Sequence, residues 1–118
     1  MSDPIAYSEP KAGTLVRNAL WANLRLGDVG QPFGYPDHAD RSIQVSGPFG
    51  VGGVLIVEGR NFGQSGFDVL RDFQGNELLI TAAGLYQITE ITDEIRVRVS
   101  AGDANTLLAA ALMARRSP

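Results

Sequence analysis

From Arg41 onward, apolar and polar residues alternate in short runs broken by turn residues. Ile95-Arg96-Val97-Arg98-Val99 sets Ile95, Val97 and Val99 on one side and Arg96 and Arg98 on the other, which is the period of a strand with one buried face. Ser42-Ile43-Gln44-Val45-Ser46 repeats that alternation, and Val54-Leu55-Ile56-Val57 is a β-branched, apolar run. Phe67–Arg71, Leu78–Thr81 and Leu85–Thr89 read as further strands, separated by turn clusters at Arg60–Gly66, Gln74–Asn76 and Ala82–Gly84. Strands at this cadence predict an antiparallel sandwich or barrel of about seven or eight strands. The predicted inward residues are Ile43, Val45, Leu55, Val57, Val69, Ile80, Ile88, Ile95, Val97 and Val99.

Asn105 to Arg116 admits two readings. The run NTLLAAALMARR is rich in helix formers, with an Asn cap and terminal arginines. The tight Ala101–Ala104 turn after a firm strand argues instead for a returning strand, and that reading is adopted. Both faces of such a strand are apolar, so Leu107, Ala109, Ala111 and Met113 become candidates for a subunit interface. Residues 1–34 lack periodicity and read as an N-terminal arm with little regular structure, apart from a short strand within Thr14–Arg17. Residues 35–118 form the predicted sandwich domain. The arm is too apolar for a solvated tail, so Ile5, Tyr7, Trp21 and Leu24 are candidate anchors on the sandwich or on a neighbour.

Composition narrows the function classes. The chain has 118 residues and a formal net charge of −3. An acidic chain without clustered cations is not expected to bind nucleic acid. With no cysteine, thiolate catalysis, disulfides and cysteine metal sites are excluded. No apolar run reaches the roughly 20 residues of a membrane-spanning helix, and Asp3 and Glu9 do not suit a signal peptide. The expectation is a soluble protein made inside a cell, with no membrane partner.

Four glycines in Gly47–Gly53 raise the question of a phosphate-cradling loop. Such a loop must open onto a helix N-terminus. Here it leads from strand to strand, so the glycines are read as a hairpin connection and no nucleotide is expected.

Other candidate chemistry is sparse. Asp37, His38 and Asp40 suggest a metal or acid–base site, but one imidazole is thin support and the polar-loop reading is adopted. No G-x-S-x-G marks a nucleophile elbow. Glu90, Asp93 and Glu94, grouped with Asp103 at one sheet end, suggest a cation site or a solvated loop; calcium loops space their carboxylates more densely. Arg96 and Arg98 suggest phosphate binding or cross-strand ion pairs. Trp21 and Phe33 suggest sugar stacking or core packing. No enzyme activity, metal or cofactor is expected.

The succession of motifs resembles a family of small tailed-bacteriophage virion proteins. It comprises A-D-R-S-x-Q-V (Ala39–Val45), G-x-F-G (Gly47–Gly50) and E-G-x-N (Glu58–Asn61), then L-x-D-x-Q-G-N-x-L (Leu70–Leu78) and T-A-A-G (Thr81–Gly84). I-R-x-x-V (Ile95–Val99), Gly102-Asp103 and the closing Ala114–Arg116 complete it. The family's polar turn is replaced by Asn61-Phe62-Gly63, and the alanine-rich ending also departs from it. The resemblance implies a structural virion protein: a capsid decoration or cement protein bound to the major capsid protein, a homotrimer on the virion surface, made in the host cytoplasm. The strand succession is also similar to jelly-roll carbohydrate-binding modules. The expected fold class is therefore an all-β, antiparallel β-sandwich (jelly-roll-like) with an extended N-terminal arm. The alternative functions are a tail or adhesion component, or a glycan-binding module.

Overall fold

The alternation in the sequence becomes eight strands in the computed structural model, which describes residues 4–9, 15–34 and 36–116. They are β1 (Val16–Leu24), β2 (Asp40–Ser46), β3 (Val54–Arg60), β4 (Asp68–Val69), β5 (Leu79–Ile80), β6 (Gly84–Ile88), β7 (Glu94–Ala101) and β8 (Leu108–Arg115). One antiparallel sheet has the order β1-β8-β2-β6. In the other, β3 pairs with β7 along one edge and with the short β4 and β5 in succession along the other. The inward residues of the two sheets form one core.

The outer edge of β7 is also paired. Residues 27–33 run antiparallel to it, with Val29 opposite Arg98 and Phe33 opposite Ile95. The N–H groups of Gly27, Gly30 and Phe33 donate to the carbonyls of Val99, Val97 and Ile95 at 3.0, 2.7 and 2.7 Å. With this run counted as a strand, and β4 and β5 as one interrupted strand, the sheet orders become 1-8-3-6 and 2-7-4-5. Those are the two interleaved Greek keys of a jelly roll.

The N-terminal segment clasps the seam between the sheets. The Ile5 N–H donates to Val29 O, and the Gln31 N–H to Ile5 O, both at 2.8 Å. Ser8 exchanges backbone bonds with Leu20 of β1 at 3.0 and 2.8 Å. Between these contacts Tyr7 packs edge-on against Trp21 and Phe33, each ring centroid 5.7 Å away. The Trp21 indole Nε1 donates to Gln31 O at 3.0 Å. A Cβ on Gly30 would lie 2.7 Å from that nitrogen, so this position requires glycine.

Several expectations are corrected here. The short strand within Thr14–Arg17 is the nine-residue β1, which reaches Leu24 through an irregularity between Trp21 and Leu24, with Asn23 at φ 58°. Residue 34 therefore does not separate an arm from a sandwich, because β1 is an integral strand. Thr14 and Tyr35, named in the sequence reading, lie outside the described residues. Trp21 and Leu24 are fully buried in the core and offer no surface to a partner. Ile5 and Tyr7 are half-buried against that same core. Val69 lies opposite Glu58 on the outward face, and Leu70 and Leu78 take the core position expected of it. The strand reading of the C-terminal run holds, and β8 sits centrally between β1 and β2.

The Gly47–Gly53 connection is not a hairpin, since β2 and β3 belong to different sheets. It arches between them and is fastened to the 102–107 turn. Leu107 N–H donates to Pro48 O at 3.0 Å, and the buried Thr106 hydroxyl to Phe49 O at 2.7 Å. A Cβ on Gly47 (φ +107°) would lie 2.3 Å from Leu107 O, so close backbone approach explains this glycine. The Asp103 carboxylate accepts from the Val51 and Asn105 N–H groups at 3.1 and 2.9 Å. Those backbone bonds hold its pKa below the ordinary aspartate value.

Candidate functional site

Three surfaces stand out; strand register builds the first two, and loops at one end of the second sheet build the third. On the outward face of the first sheet, Leu20, Ala111, Gln44 and Leu85 form one cross-strand row. Asn18, Met113, Ser42 and Gln87 form the next. Small and amide side chains between Leu20 and Leu85 leave a shallow trough of about 310 Å³. Leu85 is 70% exposed and Met113 43%. Among the described residues no charged side chain lines this trough.

The outward face of the second sheet is closed by its own side chains. Glu58, only 3% exposed, lies opposite Arg96 and accepts from its Nε at 2.7 Å and from Arg98 Nε at 3.3 Å. Arg60 Nε donates to Glu94 Oε1 at 2.7 Å. The Phe67 ring takes the guanidinium of Arg96 at 3.8 Å and that of Arg60 at 4.4 Å, a cation–π arrangement. Of the two readings of Arg96 and Arg98, cross-strand pairing is the observed one.

The third surface is a cleft of about 730 Å³ at the end of the sandwich. The β3–β4 loop forms one wall, Gly34 and Pro36 the other, and Asp93 and Glu94 also line it. Phe62 stands at the tip of the loop, 94% exposed. Its N–H donates to Asp93 Oδ2, the Asp93 N–H donates to Asn61 Oδ1 at 3.3 Å, and the Gln64 N–H closes the turn on Asn61 O at 3.1 Å.

No protein family, curated protein or solved structure matches the chain.

The remaining predicted residues fall as follows. His38 is buried, with Nδ1 3.1 Å from Asp37 Oδ1. That hydrogen bond, with help from Arg116, keeps the Asp37 carboxyl below its usual range. Asp40 turns away to Arg115, at 2.5 Å, so the three side chains do not converge. Arg41 beside them is buried, donating to His38 O at 2.8 Å and Thr92 O at 3.2 Å, and burial lowers its pKa. Glu90, Asp93 and Glu94 lie at the start of β7, whereas Asp103 lies beyond its other end, so the expected grouping of four is wrong. Among the described residues no three His, Asp or Glu side chains are placed to share a metal ion. Phe33 and Trp21 are buried, so neither can stack a sugar. Of the interface candidates, Leu107 and Ala109 are half-buried, while Ala111 and Met113 are exposed. The sequence reading missed Leu20 and Leu85, whose contribution follows from register, and Phe62, whose signal was an apolar residue inside a turn cluster.

Proposed function

We propose that this protein is a structural binding module of a virion, a decoration or cement protein that binds the major capsid protein shell as a homotrimer. The outward trough of the β1-β8-β2-β6 sheet carries the reading. The central strand β8 offers Ala111 and Met113 to solvent in a trough bounded by Leu20 and Leu85, and this trough, whose described lining carries no charge, is suited to being covered by protein. The trimer and the capsid partner come from the motif resemblance over residues 35–116.

The structure alters one part of the expected arrangement. Ile5, Tyr7, Trp21 and Leu24 are engaged within their own sandwich, so the reading drops the arm as an anchor and keeps the contact expected at Ala111 and Met113 on the sheet face. The test is sedimentation of the wild-type chain and of Met113→Lys, each alone and with purified particles of the phage that encodes it. The reading expects a wild-type trimer that coats particles, and a folded Met113→Lys chain that does neither. A wild-type chain that remains monomeric at high micromolar concentration and leaves particles bare would overturn it.

A further inference from the structure

We infer that the cleft beneath Phe62 is a binding site for a neutral oligosaccharide, distinct from the trough on the sheet face. Phe62 is the most exposed large apolar side chain described. It packs into no core, yet its turn is fixed by bonds to Asp93 and Asn61. A mobile loop tip would not need those bonds. A fixed aromatic plane at the lip of a concave surface that also carries polar groups presents the two features that saccharides require. The ring accepts the C–H face of a pyranose, and planar amides and carboxylates below it receive hydroxyl groups.

The lining supplies the second feature. Gln64 contributes an amide, and Asp93 and Glu94 contribute carboxylates. Asp93 meets the Phe62 N–H through Oδ2, and Glu94 meets Arg60 through Oε1, which leaves Oδ1 and Oε2 as acceptors for hydroxyls. Among the described residues Arg60 is the only cation in the lining, against two carboxylates. That net negative balance disfavours phosphates and acidic sugars. The arginine–glutamate pair and the backbone bond also occupy oxygens that a bare cation would need. A lining that mixes Gln64, Asp93, Glu94 and Arg60 with the apolar surface around Phe62 differs from a peptide groove built from apolar anchors alone. The cleft belongs to the end loops of the second sheet, whereas the trough lies on the outer face of the first. The two sites can therefore be occupied together, and the inference stands independently of the assembly proposal.

The experiment is a ¹H–¹⁵N titration of the full chain with maltohexaose, cellohexaose and chitohexaose, and with heparin as an anionic control. Expected are shifts confined to residues 61–64 and 93–94 with at least one neutral probe, and none there with heparin. Phe62→Ala should weaken that binding about ten-fold, and Phe62→Tyr should retain it. Both variants should melt with the wild type, because the ring is exposed. Four results would overturn the inference: no response to any neutral probe at about 10 mM, the weak end of measurable affinity; shifts located on the sheet face; stronger binding of heparin in the cleft; or binding unchanged in Phe62→Ala. Loss of capsid binding in Phe62→Ala without any saccharide response would assign the ring to a protein contact instead.

Discussion

The two outward faces of the sandwich solve the same problem in opposite ways. Each sheet has a central strand whose inward side chains are buried, and each must do something with the other side. On β3 the chain covers that side itself: Glu58 is held by Arg96 and Arg98, and Phe67 lies against two guanidiniums. On β8 it places alanines and Met113 outward and covers them with nothing of its own among the described residues. The closed face spends charged groups on internal stability. Among the described residues the open face has one exposed ion pair at its rim, Arg115 with Asp40, and none within the trough, so substitution in the trough should be nearly free in the monomer and costly in an assembly.

Substitutions rank the two faces. The largest effect belongs to the shared interior: Val97→Asp buries an unpaired carboxylate, costs several kcal/mol and should abolish cooperative unfolding in urea. Glu58→Ala comes next. It leaves Arg96 and Arg98 without their carboxylate, but both retain partial access to water. The expected loss is therefore about 2 kcal/mol, below that of a fully buried pair, read from the urea midpoint. Phe67→Ala should cost about 1 kcal/mol through the two lost cation–π contacts. Leu85→Lys on the open face should change monomer stability by less than about 0.5 kcal/mol, while sedimentation should show loss of the proposed oligomer. A destabilised Leu85→Lys monomer would break the contrast between the faces.

A pH effect away from both faces is the smallest and serves as a control. Backbone hydrogen bonds depress the folded-state pKa of Asp103. Its stabilisation is therefore present above the ordinary aspartate range and is lost as pH falls through the folded value. Asp103→Asn should have a shallower loss of melting temperature than wild type between about pH 6 and pH 3. Parallel curves would show that the carboxylate does not fasten the arch.

Legibility followed the physics of each segment. β7 was plain because it is flanked by water on one side and core on the other, so its alternation is strict. β8 was ambiguous because alanine and leucine suit a helix; the neighbouring strands, absent from local propensity, decide it. β1 was hidden because its inward Ala19 and Trp21 alternate with Asn18, Leu20 and Ala22, which mix polar and apolar types on its outer side. Trp21 consequently read as an anchor when it is the residue that pins Gly30 and Gln31. The Gly47–Gly53 connection was correctly joined to two strands, but nothing local says whether those strands share a sheet. The four-carboxylate grouping failed because the length of β7 separates Asp103 from the others. The outward trough needed cross-strand register, which places Leu20 and Leu85 in one row although they are far apart in sequence.

The place of β8 has a consequence in time. β1 and β2 emerge early from the ribosome but never touch; the gap between them is filled by a strand made after the other seven. Until residues 108–115 arrive, the first sheet is two separate pieces with their inner edges unpaired. Nascent chains are then at risk of recruiting a β8 from another molecule into the vacant slot. A ribosome-stalled chain ending before Leu108 should be protease-sensitive along residues 16–24, whose only sheet partner among the described strands is β8, and should become resistant there when β8 is released.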